Sequence, residues 1–215
     1  MRPAAVLFDC DGVIVDSEPI TDRVIVANLA RHGFEITRAE VSTLFLGGTI
    51  GGVAETVRAR GIVLPDDWVP RIYEEIFTSL AAGTPLISGI EVVLDALDAA
   101  RIPYAVGSNG PHAKMQVTLG QHPALHARLT GRIFSREDVA RPKPAPDLYL
   151  HAARALGVRP ESCVVIEDSA TGIRAARAAG ITAFGYVPDG TGERLEAEGA
   201  HIFRSMDDLP ALIGI

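Results

Sequence analysis

Four short stretches carry side chains whose types and spacing could do chemistry together. The first is Phe8-Asp9-Cys10-Asp11-Gly12-Val13, directly after the apolar run Ala4-Ala5-Val6-Leu7-Phe8. Two carboxylates at i and i+2 at the end of a strand point to the same side, and Gly12 permits a sharp turn that leaves both exposed. Such a pair holds a hard divalent cation or divides the duties of nucleophile and acid/base. An EF-hand loop begins the same way, but its third acidic position and terminal Glu are missing, and an apolar strand precedes the pair. The second stretch, Gly107-Ser108-Asn109-Gly110-Pro111, sets a hydroxyl, an amide and backbone N–H groups where a helix begins. That arrangement receives an anion, or serves as an ordinary Ser N-cap. The third, Arg141-Pro142-Lys143-Pro144-Ala145-Pro146-Asp147, holds Lys143 between prolines that stiffen the chain just before a helix. The fourth, Glu167-Asp168-Ser169, puts adjacent carboxylates at a strand-to-helix junction, where they act on a ligand or merely complement the helix dipole.

These groups need elements that bring them to one place. Short apolar runs over residues 4–8, 102–107, 163–166 and 181–187 read as buried parallel strands. Ala/Leu-rich helical patterns over 89–100, 111–120, 145–156 and 169–179 lie between and after them, and Gly157 and Gly180 stand where C′ glycines stop the last two. That βαβ rhythm predicts an α/β protein with a doubly wound, mostly parallel, Rossmann-like sheet, formed by residues 1–15 and 84–215. Residues 16–83 break the rhythm with helical patterns alone, over 19–31, 38–46, 52–60 and 66–82. Ligands of such sheets lie beyond the carboxyl ends of the strands, so an insertion leaving from that edge is expected to act as an α-helical cap.

Composition narrows the function classes. The chain has 215 residues, 47% of them apolar and 22% charged, enough to bury a sizeable core and unlike a disordered segment. Twenty basic residues against twenty-seven acidic ones give a net charge of −7, with no basic tract, so nucleic acid is not an expected partner. A small anionic substrate must then be held by local groups. Two cysteines, Cys10 and Cys163, both in apolar stretches, suit a reducing cytoplasm. No signal-peptide h-region follows Met1, and no apolar stretch reaches the ~20 residues of a membrane span. The expectation is a cytoplasmic protein without membrane contact, a monomer or weak homo-oligomer.

In order and context, the four stretches resemble the motifs of the haloacid dehalogenase-like hydrolase superfamily: Asp9-Cys10-Asp11-Gly12-Val13, Gly107-Ser108-Asn109, Lys143-Pro144 with Pro146-Asp147, and Ile166-Glu167-Asp168-Ser169 with Gly172. The sequence is similar to the β-phosphoglucomutase and phosphoglycolate phosphatase branch. It looks closest to sugar-phosphate phosphatases, 6-phosphogluconate phosphatases among them, through Ser108-Asn109-Gly110-Pro111 and Lys114-Met115-Gln116. The resemblance implies a phosphatase acting on a small phosphorylated metabolite, with Asp9 as nucleophile and Asp11 as acid and base. It implies Mg²⁺ held by Asp9, the Asp11 carbonyl and Asp168, with Glu167 a further ligand or an outer partner, and Ser108, Asn109 and Lys143 on the phosphate oxygens. Gly48 and Thr49 would belong to a cap loop that descends on the substrate. Asp11 separates this chemistry from dehalogenation, because a halide leaves without a proton, and from a non-catalytic phospho-acceptor, which gains nothing from a hydrolytic base. A phosphosugar mutase is the alternative. The mutases carry a cap-entry histidine where Thr21 stands here, and basic residues where Leu46-Gly47-Gly48-Thr49-Ile50 stands, so hydrolysis is favoured.

The remaining features read as structural. His122 and His126 have i,i+4 spacing without the glutamate of a zinc motif, and His32, His112, His151 and His201 are scattered singly. Gly47-Gly48-Thr49-Ile50-Gly51-Gly52 lacks the Lys-Ser/Thr end of a P-loop and either joins two cap helices or, as the resemblance implies, descends onto the substrate. Trp68, Tyr73 and Phe77 fall at helical spacing and are expected in the cap core.

Overall fold

The computed structural model of the chain describes residues 2–45 and 49–215. In chain order its main elements are β1 (Ala5–Phe8), α1 (Glu18–Arg31), α2 (Arg38–Phe45), α3 (Ile50–Ala59), α4 (Trp68–Ala81), α5 (Ile90–Ala100), β2 (Tyr104–Ser108), α6 (His112–Leu119), α7 (Pro123–Arg128), β3 (Ile133–Ser135), α8 (Asp147–Ala155), β4 (Cys163–Glu167), α9 (Ala170–Ala178), β5 (Thr182–Tyr186), α10 (Glu193–Ala197), β6 (His201–Phe203) and α11 (Leu209–Leu212). Contacts divide them into two compact units, residues 1–16 with 85–215 and residues 17–84.

The larger unit is built on a six-stranded, wholly parallel sheet in the order β3-β2-β1-β4-β5-β6. Strand β1 lies between β2 and β4, with Leu7 opposite both Ala105 and Val165. Its four residues are all buried, because alternate side chains feed two different cores. Val6 and Phe8 join Val106 and Ile166 against Ile90, Leu94 and Leu97 of α5. Ala5 and Leu7 join Ala105 and Val165 against Tyr149 and Ala152 of α8 and Ile173 and Ala176 of α9. Each large side chain fully buried in this way contributes about 1.5–3 kcal/mol, and that burial fixes where β1 ends and Asp9 begins. The sheet order reverses direction at β1, where the chain first runs outward through β2 and β3 and then returns to β4, and a ligand crevice opens at such a switch point.

The strands read as continuous apolar runs are present, the second as Tyr104–Ser108 rather than 102–107. Strands β3 and β6, three residues each, were not foreseen. The regular elements described in the smaller unit are all helices, α1 to α4. Helix α1 packs on α4, and Trp68, Ile72, Ile76 and Leu80 of α4 are buried with Ile25 and Leu29 of α1. Trp68 Nε1 donates to the Oδ1 of buried Asn28 at 2.7 Å, whose Nδ2 donates to Glu75 at 3.0 Å. The half-buried Tyr73 and Phe77 rings meet at a tilt, 5.9 Å between centroids and 53° between planes. No described helix is long and apolar enough to cross a membrane.

Candidate active site

The carboxyl ends of β1 and β4 carry the acids. Asp9 follows β1 directly, and its N–H donates to the Ile166 carbonyl of β4 at 2.9 Å, which ties the two strand ends together. The next residues fold back sharply: Gly12 N–H reaches the Val15 carbonyl at 2.8 Å, and Ile14 N–H the Cys10 carbonyl at 2.9 Å. Gly12 is needed here twice over. Its φ of 75° lies in the left-handed region, and a Cβ on it would meet Asp168 Oδ2 at 1.9 Å. One carboxylate oxygen from each of Asp9, Glu167 and Asp168 falls within 4.8 Å of the others. Such a set of hard oxygen donors fits Mg²⁺.

Lys143 completes the centre. Its ammonium donates to Asp9 Oδ1 at 2.5 Å and to Glu167 Oε1 at 2.7 Å, with a side chain only 3% exposed. Burial pulls a lysine down, but the Asp9 and Glu167 charges outweigh it and hold this one above its ordinary value. Asp9 moves the other way. Burial dominates and, with the Glu167 and Asp11 charges, pushes its carboxyl up to about 7 although Lys143 opposes the shift. One lysine thus answers two carboxylates, and further positive charge is what would ionise Asp9 fully.

Glu167 is completely buried and saturated with donors. Oε1 accepts from Lys143 and from Tyr149 Oη at 2.8 Å. Oε2 accepts from Asp168 N–H at 3.1 Å, Ser169 N–H at 3.0 Å and Ser169 Oγ at 2.8 Å. Ser169 also caps α9 by accepting from Gly172 N–H at 3.0 Å. The Tyr149 ring lies 4.6 Å below the Lys143 ammonium, a cation–π contact on top of the shared carboxylate.

Ser108 ends β2, the strand next to β1, opposite Ser135 of β3, and its Oγ accepts from Gly110 N–H at 2.9 Å. The Asn109 side chain does not project into open space. It forms a two-bond clasp with the backbone of Lys143, Nδ2 to the carbonyl and N–H to Oδ1, both at 3.0 Å. The Ser108–Gly110 turn is braced from the other side by Ser135 Oγ, which donates to the Gly110 carbonyl at 2.8 Å. His112 N–H donates to Glu137 at 2.9 Å, and the His112 ring pairs with Asp138 at 2.9 Å. Asp9, Asp11, Ser108, Asn109, Lys143, Glu167 and Asp168 therefore gather on the β1, β2 and β4 ends of the sheet. Thr49 lies in the other unit, where its exposed side chain caps α3 by accepting from Gly52 N–H at 3.1 Å. Gly48 lies outside the described residues.

Sequence reasoning missed Tyr149, the Ser135–Asp138 brace and the partner of Lys114, whose ammonium donates to Asp11 Oδ1 at 2.7 Å. Tyr149 and Lys114 act across 18 and 103 positions, and the brace reaches Gly110 and His112 across 25 and 26, so no local pattern announced these contacts, although the Ser135-x-x-Asp138 capping box inside the brace was a local signal. The structure gives the reason for Gly172, quoted with the fourth motif: a Cβ there would meet Glu167 Oε1 at 1.6 Å.

Comparison with known proteins agrees with this arrangement. A model of the haloacid dehalogenase-like hydrolases matches residues 3–180. The chain belongs to that family. It is 32% identical over 213 residues to a 6-phosphogluconate phosphatase of Escherichia coli (strain K12), covering 98% of this chain and 95% of that protein. Hexitol phosphatase A of the same organism is 32% identical over 181 residues, covering 84% and 81% of the two chains. A haloacid dehalogenase family hydrolase from Deinococcus radiodurans, solved with bound phosphate and sodium, superposes with a TM-score of 0.82 at 36% identity, covering 98% of this chain and 95% of that one. This haloacid dehalogenase-like enzyme thus places its buried Lys143 and its cluster of acids on the family's sheet.

Proposed function

We propose that the protein hydrolyses a small phosphorylated metabolite, a sugar phosphate or sugar-acid phosphate, through an aspartyl-phosphate and with Mg²⁺. The observation that carries this reading is the Asp9 carboxylate held at 2.5 Å by a buried lysine, with Asp11 two residues on. The similarity to a 6-phosphogluconate phosphatase supports the substrate class. Asp9 attacks phosphorus and the bond to the leaving oxygen breaks, while Asp11 hands that oxygen its proton. Water then attacks phosphorus, Asp11 takes a proton back, and the Asp9–phosphorus bond breaks to free phosphate. Lys143 and Ser108 bind the transferring oxygens, and Asn109 fixes the Lys143 backbone that aims the ammonium. Asp9, Asp168 and the Asp11 carbonyl would hold the cation, which supplies charge neutralisation when bound. Glu167, its oxygens engaged by five donors, serves as an outer partner that orients Lys143.

The test is a panel of phosphorylated metabolites, 6-phosphogluconate and hexitol phosphates included, assayed for Mg²⁺-dependent phosphate release. Catalytic release from a sugar or sugar-acid phosphate is expected. Conversion of β-glucose 1-phosphate, with a trace of its bisphosphate, to glucose 6-phosphate faster than phosphate is freed would replace the phosphatase by the mutase.

A further inference from the structure

We infer that Lys114 is a positioning residue for Asp11, fixing the side chain that as a carboxyl gives its proton to the leaving group and then as a carboxylate takes one from the hydrolytic water; the inference rests on the phosphatase reading above. The pair joins residues 103 positions apart, Nζ to Oδ1 at 2.7 Å, with side chains only 16% and 19% exposed. This is not a solvated surface pair of the kind that contributes little. Lys114 stands in the first turn of α6, just past the Ser108–Gly110 turn, and its stem runs alongside Gly110. A Cβ at residue 110 would lie 3.5 Å from Lys114 Cδ, 3.8 Å from Asp11 Oδ2 and 3.2 Å from Ser108 Oγ. The two ammonium groups engage different acids: Lys143 pairs with Asp9 and Glu167, and Lys114 with Asp11.

Asp11 sits just before a left-handed glycine, in a turn closed by the Val15 N–H on the Cys10 carbonyl at 3.0 Å. A short side chain there has several rotamers, and misplacing a catalytic group by ~1 Å costs ~10²-fold in rate. Lys114 selects one. The two chemical steps make this visible. An aryl phosphate expels an acidic phenol that needs no proton, so its first step, Asp9–phosphorus bond formation with loss of the phenolate, is insensitive to Asp11. The second step, in which water gives its proton to Asp11 as the Asp9–phosphorus bond breaks, depends on it fully.

With p-nitrophenyl phosphate and Mg²⁺, K114Q should therefore show a burst approaching one p-nitrophenolate per site, followed by a steady state roughly 10–100-fold slower than the parent. Alkyl phosphates should slow in both steps, and K114R should recover much of the loss. In a D11N background, where no carboxylate is left unpaired, adding K114Q should change the rate less than about twofold, because residues acting as one unit are non-additive. This double variant also decides the matter should K114Q alone fold poorly. A merely structural lysine would lower burst amplitude and steady state together, and would lower activity again in D11N; either result overturns the inference and leaves the phosphatase reading standing. An unmodified protein that releases no phosphate from any substrate overturns both.

Discussion

Replacing Gly172 by Ala sets two local arguments against each other. Gly172 lies inside α9 with an ordinary helical φ, so helix propensity alone favours the alanine by about 1 kcal/mol. The space argues the reverse. The new Cβ would lie 1.6 Å from Glu167 Oε1, 1.9 Å from its Cδ and 2.5 Å from Oε2, where ordinary contact begins at 3.4 Å. The carboxylate must retreat by nearly 2 Å, and Glu167 is completely buried with both oxygens engaged. Lys143 and Tyr149 lose their shared acceptor first. Each bond to a charged group is worth about 1.5–3 kcal/mol, and disrupting a buried pair costs about 3–5 kcal/mol. Set against the helix gain, the net loss is about 2–4 kcal/mol, or roughly 4–16 °C in melting temperature for a chain of this size. Lys143 would then lean on Asp9 alone, so activity should fall by at least about tenfold. Thermal unfolding and p-nitrophenyl phosphate hydrolysis measure the two effects. A variant that melts within 2 °C of the parent, or above it, and hydrolyses within about twofold would refute the argument that Glu167 needs this gap.

Two further outcomes follow from Asp9. Asp9→Asn should abolish turnover because an amide is no nucleophile, and trace activity above background in a phosphate-release assay would remove Asp9 from that role. The same variant should melt higher than the parent in metal-free buffer at pH 8. The folded Asp9 holds its proton up to about 7 against 3.8 for the ordinary carboxyl, so its favourable contribution is complete below 3.8 and is lost as pH rises through about 7. Mg²⁺ binding should in turn expel that proton. Its apparent affinity should be flat above about pH 7 and fall by up to tenfold per unit below, with proton release visible by calorimetry in buffers of differing ionisation heat. Affinity independent of pH between 5 and 8 would contradict the shift.

What the sequence made legible follows from how far each interaction reaches. Strands β1, β2 and β4 are buried on both faces, so they are written as unbroken apolar runs, and the polar residue ending each run marks the reactive edge. Strands β3 and β6 left no such trace. They are three-residue edge strands of mixed burial, Ile133-Phe134-Ser135 and His201-Ile202-Phe203, paired on one side only. Among the site residues, those at strand ends were legible by position, whereas their partners were not. The Asn109 clasp spans 34 positions, the Lys143–Asp9 pair 134 and the His112–Asp138 pair 26. No periodicity encodes contacts of that range.

The same distances explain why the centre is built as a network. Four carboxylates on Asp9, Asp11, Glu167 and Asp168 meet two ammonium groups, an imbalance that a stability-driven interior would avoid. The sheet bears it because the excess is distributed. Glu167 gives its charge to five donors that keep Lys143 in place, and Asp11 gives its charge to Lys114. Asp9 shares the Lys143 ammonium with Glu167, and burial with the Glu167 and Asp11 charges raises its carboxyl to about 7. A carboxyl raised in this way gains from any further positive charge brought beside it. On the phosphatase reading proposed above, that charge would come from a cation held at the β1 end, beside acids and lysines already engaged with one another.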